Sequence, residues 1–363
     1  MPSAYFISYF SADGMKPADF FSNKLNMCKY KNIYVIAPFN YATGGVELCH
    51  QLVDYLRNKG QKAYIVYEHK GVISEDQSIT KAYNKYNIKS TSIIDDSPEN
   101  ILVLPEISCD FIFQFHYIQM ACWWMSVDNH YFCSDFWECL KFQNDWITRT
   151  RMIKQFLFDG EYRYKNKISD LKAMGSKLIH LYQSHYAQYH LYKLGMHKVL
   201  PLSDYINCEL LTRNPNIDKE DIILYNPSKG YQFTRKILKK MPNYHFVALQ
   251  GFNREQLNEI MDKAKLYIDF GEFPGKDRLP REAALHDCCI ITGRQGASFF
   301  YEDMPINDSY KFDAKSKNLD AICSSIENVI MNYESCIGDF SDYRNLIRNE
   351  QKIFNSQIDS IFL

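Results

Sequence analysis

The feature that most constrains this chain is an alternation that runs through it twice. From Asn32, "NIYVIAPF" is a short run of β-formers, fit for a central strand. "NYATGG" follows, then "VELCHQLVDYLRNKG", in which Val46, Leu48, Leu52, Val53 and Leu56 recur at helical spacing and Gly60 suits the helix end. "KAYIVYE" is the next strand. A second cycle starts near Asp221: "DIILYNP", "SKG", "YQFTRKILKKM", "YHFVALQG", "NREQLNEIMDKAK", "LYIDFG", and then "CCIITG" and "LDAICSSIENVIMNY". Strand–loop–helix–strand units of this kind build parallel sheets covered by helices. Further strands are expected at 100–105, 110–115 and 121–127 and in "SKLIHLYQS", with helices over 136–157, over "HYAQYHLYKLG" and over 338–357.

At 363 residues the chain has room for two cores. The expectation is an α/β protein of two Rossmann-like domains facing each other across a cleft. The first spans 1–204 and the second 205–337. The hinge falls in "LPLSDYINCEL", and 338–363 forms a helix able to cross back to the first domain. In such sheets the strand C-terminal ends aim their loops at ligands.

Formal net charge is −1, so no bulk term attracts nucleic acid. The 11 cysteines include no CxxC pair and read as thiols of a reducing cytoplasm. The first residues lack a basic region followed by an apolar run, and no segment reaches about 18 consecutive apolar residues. A cytoplasmic protein is expected. The aromatic helix over 136–157 has two readings: packing against the N-terminal sheet, which its thin basic face favours, or peripheral docking on the inner membrane.

Three loops carry the chemistry. "TGGVE", Thr43–Glu47, places Gly44 and Gly45 between strand and helix, where free N–H groups and the helix dipole suit a phosphate or carboxylate; a plain turn is the other reading. It is not GxGxxG, so no dinucleotide fingerprint is present. "YNPSKG" puts Lys229 at a strand end, as a diphosphate partner or a solvated lysine. "YIDFGEFPGKDRLPREAALHDCCIITG", 267–293, crowds charges and breakers between two strands. Pro280 suits a first helical turn, and Glu282 in that turn is either a dipole partner or a ribose acceptor. Lys276 and Arg278 bring cations close to it. Two cations, two glycines and a carboxylate fit the phosphates and diol of a nucleoside diphosphate.

These pieces, with "SHYAQYHLYKLG" and "LPLSDYI", resemble the GT-B nucleotide-sugar glycosyltransferases, and more closely the bacterial polysaccharide enzymes of the glycosyltransferase family 4, or group 1, type. The resemblance covers about 32 to 315, and its specific part is 267–293. It implies that Glu282 binds the donor ribose, that Lys229 contacts the diphosphate, and that Gly44 and Gly45 lie near the donor phosphates and sugar. The family's two glutamates stand eight residues apart. Here the first falls on Pro274, so Glu272 and Asp277 are the nearest candidates, beside Lys276 and Arg278.

"WWMSVDNH" at a strand end offers Ser126, Asp128 and Asn129 to the cleft. Asp128 is the candidate base toward an acceptor hydroxyl, with capping as its other reading. His116 is a candidate because such clefts often place a histidine of this domain near the sugar. No metal motif stands out, in keeping with basic residues and helix dipoles holding the leaving diphosphate. No cofactor is expected beyond the donor. The expected activity is hexosyl transfer to a hydroxyl of a glycan or lipid-linked acceptor in lipopolysaccharide, O-antigen or capsule synthesis. Two rivals stand: a GT-B nucleotide-sugar epimerase, and a non-catalytic nucleotide-binding subunit of an assembly complex.

Overall fold

The computed structural model describes residues 30–142, 146–159, 165–196, 198–207 and 213–363. Two sheets form. The first contains β1 Ile33–Pro38, β2 Ala63–His69, β3 Val72–Ile73, β4 Ile101–Pro105, β5 Gln119–Trp124, β6 Leu178–Tyr182 and β7 Val199–Pro201, in the order β3-β2-β1-β4-β5-β6-β7. Only the short β2–β3 pair is antiparallel. The second contains β8 Glu220–Tyr225, β9 His245–Ala248, β10 Ala264–Asp269, β11 Cys289–Gly293 and β12 Lys311–Phe312, all parallel, in the order β12-β11-β10-β8-β9.

The helices are α1 Gly44–Asn58, α2 Val127–Phe132, α3 Phe136–Phe142, α4 Trp146–Asp159, α5 Ile168–Ala173, α6 His185–Lys193, α7 Tyr231–Lys240, α8 Arg254–Lys263, α9 Arg278–Leu285, α10 Leu319–Met331, α11 Tyr333–Cys336 and α12 Ser341–Phe362. Helices lie on both faces of the sheets, so strands such as Ile33–Ala37 are buried on both sides and read as unbroken apolar runs. One core gathers α1 and β1 with Trp123, and α12 adds Phe354, Ile358, Ile361 and Phe362 to it. The same helix gives Tyr343 and Ile347 to the core of the second sheet.

Several expectations need correction. Residues 110–115 are not a strand: 110–113 end a 3₁₀ segment, Glu106–Phe113, whose Cys109, Phe111 and Ile112 fill the sheet face, and 114–115 form a turn and loop. So short an apolar run serves either conformation, and Pro105 ends the strand before it. The strand expected over 121–127 runs from Gln119 to Trp124, because Ser126 caps α2 with its Oγ accepting the Asn129 N–H at 3.2 Å. The helix expected over 136–157 is α3 and α4, with 143–145 outside the described residues. Among the described residues none of α4 joins any of the three buried clusters. α4 packs instead on α3, where Phe156 stacks on Phe136. Finally, α9 starts at Arg278, so Pro280 is its third residue and Glu282 lies in its second turn. Proline is tolerated there because first-turn N–H groups have no intrahelical partner.

Candidate functional site

In each sheet the strand order reverses at one point: between β1 and β4 in the first, between β8 and β10 in the second. Ligands of doubly wound sheets sit at such points, beyond the strand C-terminal ends. Both points open on one cavity of about 700 Å³, with Pro38, Tyr41, Thr43, Pro105 and Glu106 from one side and Lys229 and Pro274–Arg278 from the other.

The N-terminal wall begins at α1. Thr43 precedes the helix in extended conformation, and Gly44 and Gly45 are its first residues and line the cavity. A Cβ on Gly44 would stand 3.2 Å from Arg278 Nε, so this glycine permits the second domain to close on the first. Ser126 and Asn129 also line the cavity. Asp128, between them in sequence, is not among the lining residues and receives the Tyr186 hydroxyl at 3.2 Å. Burial raises its pKa; the Tyr186 bond lowers it and nearby Glu272 raises it again.

The C-terminal wall is the loop after β10. Gly275 packs under the Met125 carbonyl and Gln183, and the Val127 N–H donates to Pro274 O at 2.9 Å across the cleft. Asp277 precedes α9 and takes the Lys229 ammonium at 2.7 Å; burial raises its pKa and Lys229 lowers it. Arg278 crosses to Glu47 at 2.7 Å. Burial pushes the Glu47 carboxyl up, but Arg278 and Lys85 overcome this and hold it at about 2. Cations and helix N-termini thus meet at one place, the arrangement that suits an anion.

Three site expectations change. Lys276 is no free cation: its ammonium is buried between Asp204 at 3.1 Å and Glu350 at 2.9 Å. Glu282 is 5 % exposed, bonded by Arg254 at 3.0 Å, and not among the residues that line the cavity. Its neighbouring cation is Arg254, not Lys276 or Arg278. His116 lies before β5, at the sheet edge opposite the cleft, its backbone N–H on Asp96 at 2.9 Å. Of this domain's histidines, His69 at the end of β2 lines the cavity, while His130 is buried with Nδ1 3.1 Å from Glu106 O. Glu272 is exposed, and its carbonyl accepts from Lys229 at 3.4 Å.

Sequence reasoning missed Glu106, Glu68 and Gln51, which line the cavity floor. Glu106 is 3 % exposed and accepts the Met125 N–H at 3.1 Å. Burial raises its pKa to about 8, only partly offset by that hydrogen bond. The buried Gln51 Oε1 has no hydrogen-bond partner, so the floor presents an acceptor to a ligand hydroxyl. The signal for Glu106 was a carboxylate directly after the apolar strand "ILVLP", where a doubly wound sheet points its ligand loops.

No family model matches the sequence, and no curated protein does. Solved structures do match in shape. Sucrose-phosphate synthase from Thermosynechococcus elongatus aligns with a TM-score of 0.60 at 10% identity, over 92% of this chain and 98% of that one. HepE from Anabaena aligns at 0.57 and 9% identity, over 91% and 98%. TarM from S. aureus aligns at 0.50 and 11% identity over 74% of this chain, which spans only 56% of the TarM chain. With its two switch points turned toward one cavity, the chain has the GT-B fold, two Rossmann-like domains facing across a cleft.

Proposed function

We propose that this protein transfers a sugar from a nucleoside-diphosphate sugar to a hydroxyl of a glycan or lipid-linked acceptor in cell-surface polysaccharide assembly. One observation carries the reading: a single cavity at both switch points, with Lys229, Arg278 and the α1 N-terminus on its walls and carboxylates on its floor. Cations and helix ends stabilise the charge that grows on a leaving diphosphate. The acceptors Gln51, Glu68 and Glu106 suit sugar hydroxyls. A related GT-B protein, HepE, has been solved with UDP and glucose, which supports a donor of this class.

In this reading Lys229 and Arg278 exchange their carboxylate partners Asp277 and Glu47 for phosphate oxygens. Glu282, held by Arg254 just outside the cavity lining, is assigned the ribose on the family resemblance. Gly44 and Gly45 let the backbone approach the donor. Asp128, beside Ser126 and Asn129, takes the acceptor proton if configuration inverts; if it is retained, the departing diphosphate takes it. Lys229 and Arg278 supply the positive charge, so turnover is expected to survive EDTA. Thermal stabilisation by UDP-, GDP-, dTDP- and CMP-sugars tests the donor site. One of them raises the melting temperature, and Glu282→Ala abolishes the rise. No shift with any of the four overturns the donor site; a shift kept by the variant overturns the ribose assignment.

A further inference from the structure

We infer that α4 is a docking element for an anionic bilayer surface. The inference does not depend on the reaction proposed above. Trp146, Thr150, Ile153 and Leu157 follow the i, i+4, i+7, i+11 spacing that places residues on one face of a helix. That face looks outward: Trp146 is 71% exposed, Leu157 73%, and Phe158 beside it 87%. About a quarter-turn around the helix from that face, Phe156 stacks on Phe136 of α3 with ring centroids 4.2 Å apart.

The charge on the helix selects the occupant. Arg149, Arg151 and Lys154 are all exposed, and the one acidic residue of α4 is Asp159 at its C-terminal end. Arg149 and Lys154 flank the apolar stripe on either side. A helix lying in the headgroup plane has this layout: apolar side chains reach the acyl boundary while long cationic side chains at the flanks meet lipid phosphates. No helix among the described residues is long and apolar enough to cross a membrane, so the contact is peripheral. α4 belongs to the excursion between β5 and β6 that begins at Ser126 on the cavity rim.

The test is co-sedimentation with phosphatidylcholine vesicles, with and without phosphatidylglycerol, at low and high salt. The full chain is expected to bind the anionic vesicles, to shift its tryptophan emission to the blue on binding, and to release as salt rises. Trp146→Ser/Leu157→Ser/Phe158→Ser, which touches only exposed side chains, keeps the wild-type melting temperature and lowers vesicle partitioning at least about tenfold. Arg149→Gln/Arg151→Gln/Lys154→Gln lowers it about fivefold per charge. Three results overturn the inference: wild type that ignores anionic vesicles at low salt, a triple apolar variant that binds as well as wild type, or sedimentation velocity showing a dimer that the same variant dissolves. The last would make the patch a self-association face.

Discussion

Replacing Arg281 with methionine probes the joint between the two domains. Its guanidinium grips Asp204 in the inter-domain segment through both nitrogens, at 2.6 and 3.0 Å, and reaches Glu350 of α12 at 2.8 Å. Lys276 completes the cluster by contacting the same two carboxylates. Arg281 is 1 % exposed and Glu350 2 %, so water cannot take over when a partner is lost. Two cations and two anions balance; methionine leaves two buried carboxylates facing one ammonium. Breaking a buried pair in this way costs about 3–5 kcal/mol. For a chain of this size that lowers the melting temperature by roughly 5–10 °C, read by circular dichroism at pH 7. Adding Asp204→Asn leaves one cation against one anion and should restore part of the loss. Acid titration supplies a second readout. Burial raises the Asp204 pKa, but Arg281 and Lys276 outweigh it and hold the group at about 2. A folded pKa below the unfolded one stabilises the fold above about pH 4, and the contribution is lost as pH falls toward 2. Arg281→Met should lose this acid-sensitive component. A variant melting within about 1 °C of wild type, or a double variant no more stable than the sum of the singles, would refute the reasoning.

Three further outcomes are expected. Glu106 keeps its proton in the fold up to about pH 8 while the unfolded carboxyl ionises near pH 4, so wild type loses stability as pH rises between the two. Glu106→Gln removes that loss; its melting-temperature advantage should widen from pH 5 to pH 8, and a constant or shrinking gap would sink the assignment. Gly275→Ala drives a methyl group into the Met125 carbonyl across the cleft, which no rotamer relieves. The expected cost is about 1–3 kcal/mol, with a larger radius of gyration in small-angle scattering as the domains part; an unchanged radius argues against tight closure there. Asp277→Asn frees the Lys229 ammonium from its 2.7 Å partner and should tighten nucleoside-diphosphate binding several-fold by calorimetry. Weaker binding would mean that Asp277 itself contacts the ligand.

The α/β order was legible because its signals are periodic and local: Val46 to Leu56 mark one face of α1, and apolar runs such as Ile33–Ala37 mark strands buried on both sides. The cavity loops were legible for the same reason, since Gly44, Lys229 and Asp277 all stand where a strand run ends. Long-range pairing was not. Nothing near Glu282 announces Arg254, which is 28 residues away, and nothing in "GKDR" tells Lys276 from Arg278. One is buried against Glu350 in the far C-terminal helix, and the other crosses to Glu47. A lysine beside a glycine looks alike whether its partner is a phosphate or a distant carboxylate, because the partner is chosen by packing. The stripe on α4 was visible as periodicity, but whether a sheet covered it depended on neighbours that the sequence does not specify.

α12 has a consequence for biogenesis. Trp123 in the first sheet stacks against Phe354, and Ile358, Ile361 and Phe362 complete the core that begins at Ile33. A ribosome releases these partners hundreds of residues apart. The first Rossmann-like unit therefore leaves the exit tunnel with an apolar face uncovered, and it stays uncovered until the second unit has been made. Synthesis order and folding order diverge, and nascent chains should depend on chaperone shielding over that interval. An expression fragment cut at the inter-domain segment would inherit the same exposed face.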